Sequence, residues 1–238
     1  VGLRDYYIFG NWHDLSRFTA PQYSVSQGRF FLSRLHTESG NPIYELVGDH
    51  FGPTKLVILP FFLIFRTAAV FLVFKTLAMG FAAIPYFLLA RLRLRSLESI
   101  ILTVVYLLIP TAVAQNSTGF HVVVFATLLI PAAIYFFETR RFGWFMTFML
   151  LCNGIKEDVP FTMLLFPVVA FLQRRPRKWV LTPAIVSVLW LMLVFLVLFP
   201  LFRPPDNMMV VRYPYIRSFS GLLWTFVENP RILIDNVF

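Results

Sequence analysis

From residue 67 to residue 202 the chain is a succession of apolar runs with its charges collected in the gaps between them. The runs are 67–90, 97–114, 120–137, 142–151 (continuing to about Gly154), 159–172 and 180–202. A helix rises ~1.5 Å per residue and a hydrocarbon core is ~30 Å thick, so roughly 20 apolar residues cross it. Several runs are short or are interrupted by Pro110, Pro131, Pro160, Pro167 or Pro183. Such breaks are tolerated where a neighbouring helix or water satisfies the freed carbonyls. Residues 53–65, about a dozen, are apolar but too short to cross, and are expected to form a re-entrant or interfacial helix ending near Arg66.

Composition agrees with this pattern. Of the 238 residues 58% are hydrophobic, 18% aromatic and only 14% charged, with a mean hydropathy of +0.72. Soluble domains carry about 25% charged residues, so the expected class is an all-α, polytopic integral membrane protein of about six spans. A net charge of +9 would suit nucleic acid, but the basic residues cluster at the ends of apolar runs, and no nucleic-acid partner is expected. The single cysteine, Cys152, excludes an internal disulfide. No signal-peptide pattern opens the chain, and its start without methionine reads as that of a fragment.

The short connections set an orientation. Arg91, Arg93 and Arg95 follow the first run, Arg140 and Arg141 the third, and Arg174, Arg175, Arg177 and Lys178 the fifth. The alternate connections, 111–119 and 153–158, carry only Lys156. The positive-inside rule assigns the arginine-rich loops to the cytoplasm. Residues 1–53, an extramembrane loop with a short interfacial helix around 29–35, then lie outside. So does the second loop, 203–238, leaving 54–202 as the transmembrane helical domain.

On the same outer side fall Asp5, Asp14, Asp49, His50, His121, Lys156, Glu157 and Asp158. A charge cluster such as Lys156-Glu157-Asp158 between two uncharged runs is unfavourable unless it lines a wet cavity or the membrane boundary. A polar pocket at that depth suits a lipid-linked substrate, with a carboxylate as general base and Lys156 and the histidines on a phosphate.

Asp5-Tyr6-Tyr7-Ile8-Phe9, Gly48-Asp49-His50-Phe51-Gly52-Pro53, Gly119-Phe120-His121 and Lys156-Glu157-Asp158, in that order between hydrophobic runs, resemble the prokaryotic predicted membrane proteins called domain of unknown function 2079. That family is grouped with the C-type glycosyltransferases, and the resemblance covers nearly the whole chain. It implies a prokaryotic plasma-membrane enzyme of the cell envelope, transferring a sugar from a polyprenyl-phosphate donor to an acceptor at the outer face. It assigns Asp5, the first acid of the family's first loop, as the catalytic residue that deprotonates or orients the acceptor hydroxyl. Lys156, with His50 or His121, would neutralise the leaving phosphate. Glu157 and Asp158 would position Lys156 or bind sugar hydroxyls, and Asp49 joins the substrate-binding set. Gly10 stands where the family has a second acid, and Gly119 where it has the Asp of Asp-Phe-His-Pro. The carboxylates leave room for a divalent metal that no spacing demands, and the span expected before Asp5 is missing.

Each residue also has a structural reading. Asp158 caps the following helix, Asp49 caps the one near Pro53, and His121 bonds a neighbouring helix. Trp144 and Trp179, beside the basic clusters, are expected to be interfacial anchors. Lys75, about eight residues into the first span, must snorkel, pair or face a cavity, and a buried pairing or a phosphate role remain equally open. A transporter or flippase of lipid-linked or small polar substrates is the rival function, and a non-catalytic scaffold the third. Oligomeric state is not legible. No phosphate loop, zinc spacing or serine triad is present in the sequence.

Overall fold

The computed structural model describes residues 12–28, 50–117 and 119–202, and among them every regular element is helical. The first is α1, Trp12–Ser26. A 3-10 turn, Pro53–Ile58, leads into α2, Leu59–Phe65. Next come α3, Ala69–Phe81, and α4, Ala83–Arg91, continuous through Ala82 in helical geometry. The return is α5, Ser96–Leu108, and α6, Pro110–Ser117. A 3-10 turn, Val122–Phe125, opens α7, Ala126–Glu138, and α8 is Phe142–Asn153. The last elements are α9, Val159–Met163, α10, Leu165–Leu172, and α11, Arg177–Met192. α11 passes through a π-helical stretch, Leu193–Leu198, into α12, Phe199–Phe202.

Local chemistry explains the boundaries. Glu98 accepts the Arg95 backbone N–H (2.9 Å), satisfying one donor left over at the start of α5. Proline disfavours helical geometry in the residue before it, so Ile109 turns extended (φ −58°, ψ 131°) and α5 and α6 meet at a 43° bend. α7 and α10 end alike. Arg140 (φ 57°) and Arg174 (φ 50°) take left-handed backbone, and the next residue's N–H reaches back five residues, Arg141 to Phe136 and Arg175 to Ala170. These are Schellman ends with arginine where glycine is commonest.

Successive elements pack side by side, with α4 against α5 and α7, α8 against α7 and α11, and α10 against α11. Ala69–Arg91 (23 residues) and Arg177–Leu201 (25 residues) are long and apolar enough to cross a membrane, and the bent α5–α6 pair makes a third if it is one span. Pro53–Phe65, Val122–Glu138, Phe142–Asn153 and Val159–Leu172 fall in the 10–17 residue class. By length alone the expected six spans therefore reduce to two or three. Residues 53–65 are helical, as expected, and end at Arg66 in left-handed geometry. The outer surface is apolar over long stretches: Leu97, Ile100, Ile101, Val104 and Leu108 on α5, Leu181, Ile185 and Leu189 along α11 and Leu196 in the π-helical stretch after it are all exposed. Water disfavours so large a patch and hydrocarbon does not.

Two aromatic clusters fill the interior. Near one end, Phe120 is fully buried with Phe18, Phe71 and Phe125 around it at 5.0–6.3 Å. Near the other, Trp179 packs against Phe137, Phe142 and Phe145 at 5.0–5.6 Å. Trp179 is thus a core residue (4% exposed) and not the expected interfacial anchor, whereas Trp144 is exposed. The difference is one of helix face: Trp179 starts α11 on the side that meets α7 and α8. α1 was not anticipated in the loop reading of 1–53. Its sequence is polar on average, with Pro21 inside it, and its packing rests on Leu15 and Phe18, one turn apart. The short helix expected around 29–35 and all of 203–238 lie outside the described residues.

Candidate functional site

Three segments far apart in sequence meet at the end of the helices opposite the arginine-rich turns. The first is the extended stretch 50–52 leading into Pro53. The second is His121–Val122 at the start of α7's 3-10 turn, and the third is Gly154–Asp158 between α8 and α9. A Cβ on Gly52 would collide with the Ile155 carbonyl oxygen and lie 3.7 Å from Val122 Cγ1, so glycine permits the close approach of all three. Gly154 is tight in return, since its Cβ would meet Thr54 Oγ1 at 2.9 Å. Thr54 closes the seam by donating its backbone N–H to the Gly154 carbonyl (2.9 Å) and its hydroxyl to that of Leu151 (3.0 Å). It thereby satisfies carbonyls that the end of α8 leaves without partners.

This seam juxtaposes His50 and Glu157. His50 Nδ1 lies 2.7 Å from Glu157 Oε1, with the imidazole 46% exposed and the carboxylate 4%. With Nδ1–H donating to Glu157, Nε2 is the ring atom left to accept or release a proton. The second carboxylate oxygen, Oε2, is buried and has no hydrogen-bond partner among the described residues. Burial of a half-satisfied carboxylate is costly.

The neighbouring charges are divided between two directions. Glu157 turns inward, while Lys156 and Asp158 pair with each other at the surface (3.3 Å). Of Glu157 and Asp158, the two expected to position Lys156 or bind sugar hydroxyls, only Asp158 contacts Lys156, because residues two apart in this turn share a side and the one between faces away. Asp158 precedes α9 but makes no side-chain cap, and only its carbonyl accepts the Phe161 N–H (3.1 Å). His121 is exposed at the head of its turn. Asp5 and Asp49 lie outside the described residues.

Behind the seam, Phe51 packs on Trp190 of α11 (5.9 Å), whose Nε1 is buried without a partner among the described residues. Asn153 donates to Ser187, one turn before Trp190, at 3.5 Å. Spacing did not single out these residues, nor Gly52, Gly154 and Thr54 as the trio that docks the segments. The polar residues Asn153 and Ser187 inside apolar runs were the available signal.

Lys75 also serves this end. It is wholly buried, and its ammonium donates to the carbonyls of Gln115 (3.3 Å) and Gly119 (3.4 Å). A cation there complements the C-terminal end of α6 and ties down the turn carrying Phe120 and His121. Among the described residues no three His, Cys, Asp or Glu side chains gather as a metal site. His50 and Glu157 supply two ligands, so a metal at that pair would draw the rest from elsewhere.

No curated protein matches this chain, and no solved structure does. One family model matches over residues 5–238, the one described as predicted membrane protein (DUF2079). The match spans all three segments that meet at the seam, and the chain belongs to that family.

Proposed function

We propose that the chain is a membrane glycosyltransferase that uses a polyprenyl-phosphate sugar at the non-cytoplasmic face, with about six crossings in which flanking turns lengthen the shorter helices. The observation that carries this reading is the convergence of His50–Glu157, Lys156–Asp158 and His121 at the end opposite the arginine-rich loops. In the reaction the acceptor hydroxyl oxygen bonds to the anomeric carbon as the bond from that carbon to the phosphate oxygen breaks. Polyprenyl phosphate leaves with the electron pair, and the hydroxyl proton passes to a base. Asp5 takes the proton in this reading. His50, held by Glu157, donates from Nε2 to the departing phosphate, and Lys156 adds positive charge.

The test supplies the full chain in liposomes with a panel of polyprenyl-phosphate sugars and follows release of polyprenyl phosphate. We expect Glu157→Gln to lower the rate by about 10²–10⁴, the usual range for removing an acid–base function, with melting unchanged. Turnover that survives both Glu157→Gln and His50→Ala would discard the assignment. No turnover with any donor by folded protein would discard the enzyme.

Transport is the second reading, favoured by a cavity of about 200 Å³ beside the α5–α6 bend, lined by Thr76, Met79, Gly80, Tyr106 and Asn116 among others. Broken helices are where transporters place substrate. Against it, Lys75 does not line that cavity and is engaged by backbone carbonyls. Substrate uptake by the same liposomes without polyprenyl phosphate release would establish it.

A further inference from the structure

The arginine-rich end contains cations of two kinds. Arg175 is committed to the fold, donating to the Phe137 carbonyl, to Glu138 (3.3 Å) and to Gln173 (2.6 Å). Arg140, Arg141, Arg174 and Arg177 are exposed, and their guanidinium groups have no partner among the described residues. The two loops that carry them are joined where the Lys178 ammonium sits 5.3 Å over the Phe142 ring. At this junction lies an open hollow of about 410 Å³ lined by Arg141, Phe142, Gly143, Trp144 and Thr147.

Its chemistry is graded. Arg141 supplies a permanent cation at the mouth. Trp144 forms an aromatic wall, 58% exposed and braced by stacking on Phe136 (5.8 Å). Trp144, Thr147 and Leu151 recur at helical spacing, and all three are exposed, so an outward-facing track runs from the hollow along α8. A free inorganic anion would use the cation and leave the wall and track bare. A molecule with a phosphate at one end and hydrocarbon at the other uses all of them, and the bilayer is made of such molecules.

We propose that this hollow binds the headgroup of an anionic phospholipid, with the phosphate against Arg141 and neighbouring Arg140, and the glycerol and upper chain against Trp144 and along α8. Basic pockets at helix ends beside an anionic leaflet have this affinity, and each cation near the surface contributes about a fivefold preference. The site is independent of the sugar chemistry at the opposite end.

The experiment reconstitutes the full chain in phosphatidylcholine doped with brominated phosphatidylglycerol or, separately, an equal amount of brominated phosphatidylcholine. Trp144 emission is isolated by subtracting the signal of Trp144→Phe. Stronger quenching by the anionic lipid is expected. Arg141→Gln should reduce that preference about fivefold. Gly143→Leu should remove it while leaving every charge in place, because a Cβ at Gly143 meets nothing within 4 Å and the added side chain fills the hollow without strain. Equal quenching by the two lipids would overturn the proposal, as would a preference unchanged in Arg141→Gln. Inorganic phosphate that abolishes the preference would show a free-anion site and overturn it too.

Discussion

Two buried charged side chains, Arg175 at one end of the molecule and Glu157 at the other, are treated differently by their surroundings. At the arginine-rich end, Arg175 (5% exposed) gives its donors to a carbonyl, a carboxylate and an amide oxygen. Its plane lies 3.6 Å over the Phe137 ring and 5.2 Å from that of Trp179. Burial pulls its pKa down and Glu138 pushes it back up, which still leaves an arginine charged at any pH the protein meets. At the other end Glu157 is as deeply buried but has one oxygen paired and one not. A buried charge with a hydrogen bond from each of its three nitrogens holds a fold together. A buried charge left half-satisfied, beside a half-exposed histidine, is where chemistry is expected.

Removing Arg175 breaks the comparison most directly. Arg175→Ala leaves the Phe137 carbonyl and the Glu138 carboxylate without their partner and strips a plate from the aromatic cluster. Glu138 is 31% exposed and can be resolvated. The loss therefore comes from the buried carbonyl left without its donor, about 1–3 kcal/mol, and from the cation–π stack, about 2 kcal/mol. A clear fall in melting temperature in detergent is expected. Activity per folded molecule should not change. Glu157→Gln should do the reverse, because glutamine keeps the shape and a hydrogen bond to His50 but loses the charge. If both variants lose stability equally, the distinction between the ends fails.

Gly52→Ala sharpens the comparison by testing whether the seam is built by backbone contact. Its Cβ would strike the Ile155 carbonyl, a backbone atom that cannot swing aside. Overpacking of this kind costs about 1–3 kcal/mol. Because His50 is two residues away, the variant should also widen the His50–Glu157 distance and lower turnover more than the lost stability explains. Unchanged melting and unchanged turnover would show that 50–54 docks elsewhere.

Much of this was legible in the sequence. The apolar runs 67–90 and 159–172 became Ala69–Arg91 and Val159–Leu172 almost residue for residue, because a helix buried in apolar surroundings ends where its charges begin. That His50 and Lys156–Asp158 would share one end of the molecule was also legible, from the alternation of arginine-rich and arginine-free connections. Which charge faces which was not. Lys156 and Glu157 are neighbours in sequence, yet the turn sends one out and the other to His50, 107 residues away. Nor was α1, whose stability comes from contacts such as Phe18 on Phe120 rather than from its own pattern. Trp179 and Trp144 both sit beside arginines in sequence. Only the packing of α11 against α7 and α8 separates the buried one from the exposed one.

The smallest effect is expected at Asp158. Its carboxylate is 62% exposed and pairs with a lysine at 3.3 Å. Exposed pairs contribute about 0.2–1 kcal/mol, and with no side-chain cap to lose, Asp158→Ala should hardly move the melting temperature. Its effect on function is the informative part. If Asp158 only restrains Lys156, freeing that ammonium should weaken apparent binding of a phosphate-bearing substrate a few-fold and leave the maximal rate intact. A fall in maximal rate comparable to that of Glu157→Gln would place Asp158 among the reacting groups. The functional centre would then lie at the exposed surface of this turn rather than at the buried pair beneath it.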